Sequence, residues 1–263
     1  MRARKRFGQH FLVDQHVVAD IVAAVAPRQE DHVLEIGAGT GALTSALYGL
    51  SRQLTLIEID RDLVPRLRQR FPSAQVISAD VLDLPLASVA TVPMRIVGNL
   101  PYNISTPLLV KLLGETGLIV DMHFMLQKEV AERLSAGPGK KDWGRLSVLM
   151  QHMCEVELLF DVGPDSFDPP PAVWSSVVRL RPRHQNERHS VDEKYFDKVL
   201  RAVFSQRRKQ LGNNLKPLAP ASVWAMVQPP IDLRDRAESV TLEQFIAMAN
   251  TLARYEEDLK CLA

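Results

Sequence analysis

The chain has 263 residues, 46% hydrophobic and 24% charged, which is room for one large domain and a smaller one around a packed core. Its formal net charge of +1 gives no global sign of nucleic-acid affinity. Cys154 and Cys261 are far apart and have no partners at metal-ligand spacing, so neither a disulfide framework nor a zinc site is implied, and a reducing cytoplasm fits best.

Arg2, Arg4, Lys5 and Arg6 followed by the apolar stretch Val17–Ala26 imitate a signal peptide, but Asp14, His16 and Asp20 interrupt the pattern. Val17, Val18, Ile21, Val22 and Val25 keep helical spacing, so the stretch reads as an amphipathic helix stopped by Pro27. No other stretch approaches the apolar length that a membrane span needs.

From His32 to Gln127, apolar runs of strand length alternate with helical patterns, the signature of a parallel sheet built from strand-helix-strand units. Strands are expected at 32–36, 54–58, 75–78, 95–98 and 123–127, with helices at 41–49, 62–70 and 106–113. The expected fold class is α/β, doubly wound and Rossmann-like. The first strand runs into Gly37-Ala38-Gly39-Thr40-Gly41, a tight turn whose small residues let a ligand approach the backbone. Glu58 ends the next strand about twenty residues on, as a ribose-binding acid would. The loop alone leaves a nicotinamide cofactor and S-adenosylmethionine both open, since Gly37, Gly39 and Ala42 also fit the dinucleotide pattern. Asp80, after the third strand, suits the second by accepting from an adenine amino group, but a turn cap explains it equally.

Asn99-Leu100-Pro101-Tyr102 follows the fourth strand. An aromatic amine is a poor nucleophile because its lone pair is spread into the ring. The Asn99 side-chain oxygen and the Leu100 carbonyl could each accept one of its N–H groups, with Pro101 holding Leu100 extended and Tyr102 offering a ring for stacking. A plain turn closing a strand end is the alternative. Further on, 155–160 and 174–180 read as antiparallel edge strands. Polar residues 181–190 read as a linker between domains at 1–183 and 190–263, the second helical at 191–204, 210–218, 221–227 and 242–255. Basic residues cluster at Arg4, Lys5 and Arg6 and again at Arg207, Arg208 and Lys209, each run free of acids. One such run is usually a solvated face; several in a chain with an amine-binding motif favour phosphates.

These residues together resemble the small-subunit ribosomal RNA adenine dimethyltransferases, relatives of the erythromycin-resistance rRNA methylases, over nearly the whole chain. Residues 4–12, Arg-Lys-Arg-Phe-Gly-Gln-His-Phe-Leu, are similar to the family's opening motif, which folds over the donor; its usual form has Asn where this chain has His10. The resemblance implies an S-adenosylmethionine-dependent class I methyltransferase domain at 1–183 and a helical RNA-binding domain at 190–263. It implies donor contacts from His10, Leu12, Gly37, Gly39, Glu58, Asp80 and Asn99. It implies catalysis by Asn99, Leu100, Pro101 and Tyr102, with Phe167 of Phe167-Asp168-Pro169-Pro170-Pro171 stacking the target base. The basic clusters Arg4, Lys5 and Arg6, and Arg207, Arg208 and Lys209, are expected to hold RNA. Residues 125–130 and 204–211 are similar to the bacterial members in particular. The expected partner is small-subunit (16S) rRNA within the small ribosomal subunit, dimethylated at two adjacent adenines; the expected chain is a cytoplasmic monomer that needs neither metal nor membrane. A non-catalytic ribosome assembly factor and a DNA adenine methyltransferase are the alternatives, the second weakened by Leu100 where DNA enzymes carry a proline.

Overall fold

The computed structural model describes residues 9–89, 92–184, 187–188 and 190–261. Nine strands and ten helices follow one another along these residues. The first strand, β1 (Phe11–Leu12), leads into α1 (Gln15–Val25), which starts where the Asp14 carboxylate accepts the His16 and Val17 N–H groups. It ends at Ala26, in the left-handed region with φ 44°, directly before Pro27. The expected helix is present, two residues longer at its start because its cap lies outside the apolar pattern.

The seven-stranded sheet has the order β4-β3-β2-β5-β6-β9-β7. Strands β2 (His32–Ile36), β3 (Gln53–Glu58), β4 (Gln75–Ser78), β5 (Met94–Asn99) and β6 (Ile119–Gln127) are parallel neighbours. β9 (Ser175–Pro182) runs antiparallel to both β6 and the edge strand β7 (Cys154–Val162). Every residue of β2 is buried, as a strand covered on both faces requires. α2 (Ala42–Leu47), α3 (Val64–Arg70) and α4 (Ser105–Leu113) fill the crossovers. From β2 the chain turns through α2 to β3 on one side, while β5 and β6 extend the sheet on the other. The point of reversal lies between β2 and β5, and in open α/β sheets ligands bind outside the strands' carboxyl ends at such a point.

Two helices follow β6 that the sequence pattern did not show: α5 (Lys128–Ser135) and α6 (Arg145–Met153). Both are short, and α5 is built largely of charged residues, so neither supplies the apolar run from which a helix is read. β8 (Phe167–Asp168) also went unforeseen; it pairs antiparallel with β1 in a separate two-stranded sheet, joining Leu12 to Phe167.

The chain divides into two compact units, 1–132 with 154–182, and 133–153 with 183–263. One crossing falls at the start of the expected linker, but the second unit also takes in residues 133–153, which the expected division at 183–190 left in the first. The reason lies in Trp143, fully buried in the second unit's core with its indole N–H donating to the Val240 carbonyl at 2.9 Å. That core gathers α7 (Glu193–Ser205), α8 (Leu211–Leu215), α9 (Ala221–Trp224) and α10 (Leu242–Cys261) around Phe196, Leu200, Trp224 and Phe245. α10 opens on a reciprocal cap: Thr241 N–H donates to Gln244 Oε1, and Gln244 N–H to Thr241 Oγ1, at 3.0 and 3.2 Å. No helix among the described residues is long and apolar enough to cross a membrane.

Candidate active site

The carboxyl ends of β2, β3, β4 and β5 surround a cavity of about 290 Å³. Gly37, Gly39, Glu58, Asp80, Asn99, Leu100, Pro101 and Tyr102 all line it, and His10 and Phe11 border it from the opening motif. Gly37 and Gly39 have φ of 75° and 58°, which a side chain makes unfavourable, and a Cβ on Gly39 would press on the Phe11 ring at 3.3 Å. The glycine turn thus leaves bare backbone against the cavity.

Glu58 is 4% exposed, and its two oxygens are each tied to backbone: Oε2 accepts the Gly39 N–H and Oε1 the Asp60 N–H, both at 2.8 Å. Burial raises its pKa against the pull of these two bonds. The carboxylate therefore fixes the glycine turn to the end of β3 while bordering the cavity, an arrangement suited to accepting ribose hydroxyls. Asp80 Oδ1 accepts the Leu82 N–H at 2.9 Å, so the turn-cap reading is correct for one oxygen, and the residue still borders the cavity. Glu35, the penultimate residue of β2, is buried; its Oε2 accepts the Thr44 hydroxyl at 2.6 Å, and burial lifts its carboxyl to about 8.

Asn99 is the last residue of β5, and the Leu100 N–H donates to Met125 O at 3.2 Å, so the adjoining strand holds the tetrapeptide in place. Its Nδ2 donates to the His10 carbonyl at 2.9 Å, which assigns the amide's orientation and keeps Oδ1 as the acceptor. The Tyr102 hydroxyl shares a hydrogen bond with Ser175 Oγ at 2.8 Å; burial pushes the phenol pKa up. His10 stacks on Tyr102, with ring centroids 5.7 Å apart and planes at 27°, and its Nδ1 lies 2.7 Å from the Pro169 carbonyl. The opening motif is held down at several places, since Val13 N–H also donates to Ser166 O at 2.9 Å.

Three expectations need correction. Phe167 is 4% exposed and does not line the cavity: its pairing with Leu12 puts it in the hydrophobic core, so this conformation does not offer its ring to a base. Leu12 is buried beside it for the same reason and does not line the cavity. Arg207 does not project freely, because its Nη2 donates to the carbonyls of Lys141 and Trp143 at 2.6 and 2.9 Å. Arg208 and Lys209 are exposed. Arg4, Lys5 and Arg6 lie outside the described residues. Sequence reasoning missed Ser175 as the partner of Tyr102, since no motif links residues 73 apart. Among the described residues no cluster of His, Cys, Asp and Glu could hold a metal ion.

A doubly wound sheet with a bare glycine turn after one strand, an acid ending the next, and an Asn-Leu-Pro-Tyr corner at the point of reversal defines a class I S-adenosylmethionine-dependent methyltransferase. The chain belongs to the ribosomal RNA adenine dimethylase family, whose model matches residues 1–254. It is 48% identical over 257 residues to "Ribosomal RNA small subunit methyltransferase A" of Pseudomonas aeruginosa, spanning 96% of this chain and 95% of that protein. The protein of the same name from Pseudomonas fluorescens is 46% identical over 257 residues, 96% of this chain and 94% of that one. Among solved structures, a dimethyladenosine transferase from Plasmodium falciparum superposes with a TM-score of 0.78 at 25% identity, over 94% of this chain and 98% of that one. The 23S rRNA methyltransferase ErmE gives 0.72 at 26% identity, over 92% and 99%.

Proposed function

We propose that this chain transfers methyl groups to the exocyclic amino nitrogen of adenine in small-subunit rRNA, at the corner formed by Asn99, Leu100, Pro101 and Tyr102. It is an rRNA adenine dimethylase by family, and S-adenosylmethionine is its methyl donor. The small-subunit context and the pair of adjacent adenines are the finer part of the proposal. The observation that carries it is Asn99: its amide N–H groups are turned to the His10 carbonyl, which keeps its oxygen as an acceptor on the border of the cavity that Gly37, Glu58 and Asp80 line.

The residues fit the donor. Bare glycine backbone suits close approach, the Glu58 carboxylate suits ribose hydroxyls, and Asp80 suits an adenine amino group. When bound, the donor supplies a sulfonium-activated methyl carbon. The protein's own part is placement, because in-line alignment supplies much of the acceleration without a strong base. The Asn99 oxygen and the Leu100 carbonyl accept the two amine N–H groups and draw the nitrogen toward a pyramidal form. These bonds strengthen as positive charge develops on that nitrogen, so they favour the transition state over the bound ground state. Tyr102, anchored by Ser175, offers its ring to the extruded base, and the Pro101 ring fixes the backbone between them. Arg208 and Lys209 hold RNA phosphates.

The test is methyl transfer from labelled S-adenosylmethionine to undermethylated small ribosomal subunits, with naked rRNA and adenine-containing DNA alongside, followed by nucleoside analysis. Dimethyladenosine from the subunits is the expected product. Donor binding without transfer to any of the three would overturn the reading.

A further inference from the structure

The three tryptophans divide by exposure. Trp143 and Trp224 are 1% and 2% exposed, and each donates its indole N–H to a backbone carbonyl; Trp174 is 55% exposed. Leaving so large an apolar side chain in water forgoes the burial free energy that places most tryptophans inside, and its neighbour Val173 is also exposed. Yet Trp174 is held in position. Its carbonyl accepts the Lys128 N–H at 2.9 Å, at the junction of β6, β9 and α5. The first carbon of a side chain at Gly163 would stand 3.7, 3.8 and 4.0 Å from the ring atoms Cη2, Cζ3 and Cζ2. Such nearly equal distances to three successive ring carbons mean that the indole turns a face, not an edge, to this glycine.

The residue after it, Ser175, is the partner of the Tyr102 hydroxyl. Consecutive Cα atoms are about 3.8 Å apart, so Trp174 starts one residue from the group that anchors the base-pocket tyrosine. The shallow hollow beside the indole is lined by Gln127, Lys128, Glu129, Asp161, Ala172 and Val173. Lys128 Nζ and Asp161 Oδ2 are paired there at 2.5 Å and Glu129 adds a further acid, so phosphate is not the feature this surface selects and the indole face is what it offers.

We propose that Trp174 is a stacking platform for an unpaired nucleobase of the substrate RNA, next to the adenine held at Tyr102. The proposal rests on the RNA-methylating function above. An adenine drawn out of its stack leaves its neighbour without a stacking partner, and an exposed indole held one residue along the chain from Ser175 replaces it at little ordering cost. Any base has a π-face, so the platform serves RNA of more than one sequence. A protein partner is disfavoured because two exposed apolar residues fall far short of the roughly 800 Å² per side of a standard interface.

The burial of Trp143 and Trp224 makes acrylamide quenching of the whole protein's fluorescence a report on Trp174 almost alone, and protein-free small-subunit rRNA adds no tryptophan. Saturating rRNA is expected to lower the quenching constant severalfold. With undermethylated small subunits as substrate, Trp174→Ala is expected to raise KM by roughly tenfold, with a smaller change in kcat and an unaltered donor Kd, and Trp174→Phe to restore most of that loss. Unchanged quenching under saturating rRNA, or an unchanged KM in Trp174→Ala, overturns the platform. Shielding that grows with protein concentration alone assigns the surface to a second copy and overturns it too. Failure of the wild-type protein to methylate the subunits would sink the parent function as well, whereas transfer without shielding of Trp174 sinks the platform only.

Discussion

Asn99 answers to two partners. Its side-chain N–H donates to the His10 carbonyl of the opening motif, and its oxygen is the acceptor proposed above for the substrate amine. Replacing it with Ala removes both. Turnover in single-turnover methyl transfer is expected to fall by about a hundredfold or more, by analogy with loss of one transition-state hydrogen-bond partner. Donor affinity, measured by calorimetry, is expected to weaken much less, because Gly37, Glu58 and Asp80 keep their places around the cavity. Turnover near that of the wild type would remove Asn99 from the chemistry. At this scale the sequence was most legible where motif residues are contiguous, as in 99–102, or sit at strand ends, as Glu58 and Asp80 do. It was silent where the partner lies far off: Tyr102 to Ser175 spans 73 residues and His10 to Pro169 spans 159, and no spacing rule relates such pairs. Phe167 shows the complementary failure, because a motif names a residue type without saying whether its ring is turned outward or into the core.

Among elements, the approach of β5 to β2 decides where the catalytic corner stands relative to the glycine turn. Gly98 makes that approach possible. A Cβ there would lie 2.6 Å from the Ile36 carbonyl oxygen and 3.1 Å from Leu100 Cδ2, and the first of these is rigid strand backbone. Gly98→Ala is therefore expected to push β5 away from β2 just before Gly37 and Asn99. Overpacking of this kind costs about 1–3 kcal/mol, readable as a lower urea midpoint, and is expected to raise the donor Kd and lower turnover together. Unaltered stability and kinetics would show that the strands absorb the methyl group. The strand at 32–36 was legible because it is buried on both faces, and the edge strand 75–78, with Val76 buried, also stands where the sequence put it. The helices α5 and α6 were not, since what holds α6 is the tertiary burial of Val148 and Met150.

For the whole molecule, the question is what its charges do collectively. The net charge of +1 conceals the unequal standing of three adjacent basic residues. All three are exposed, but Arg207 is tied to the carbonyls of Lys141 and Trp143. The double variant Arg208→Ala, Lys209→Ala is expected to weaken rRNA binding and to flatten the plot of log affinity against log salt by up to about one unit per lost phosphate contact. Arg207→Ala is expected instead to lower the melting temperature with little change in that slope. Equal slopes in the double variant and the wild type would return Arg208 and Lys209 to the role of solvated surface.

Two buried groups give the fold a pH dependence whose direction follows from their shifts. Burial, aided by the nearby Glu58 charge, lifts the Glu35 carboxyl from 4.5 to about 8. Between those values the folded state holds a proton that the unfolded chain has lost, so stability falls as pH rises through that window, with a slope of order 1 kcal/mol per pH unit. His123 acts in the opposite sense. Burial, with Arg95 and Arg179 pushing the same way, lowers its pKa from 6.5 to about 4, and this outweighs Asp121, whose carboxylate stands 3.7 Å from Nδ1. The ring is thus a neutral neighbour of Asp121 and not its ion-pair partner, and stability falls as pH drops from 6.5 toward 4. Between 4.5 and 6.5 the two slopes oppose each other; between 6.5 and 8 that of Glu35 is left, with Glu58 raised in the same direction. Glu35→Gln keeps an oxygen acceptor for the Thr44 hydroxyl and removes the titration. Urea midpoints measured from pH 6.5 to 8 are expected to decline in the wild type and to decline less steeply in the variant, which keeps Glu58, whereas parallel declines would mean that Glu35 is ionised in the folded protein and that its burial is compensated by contacts other than Thr44.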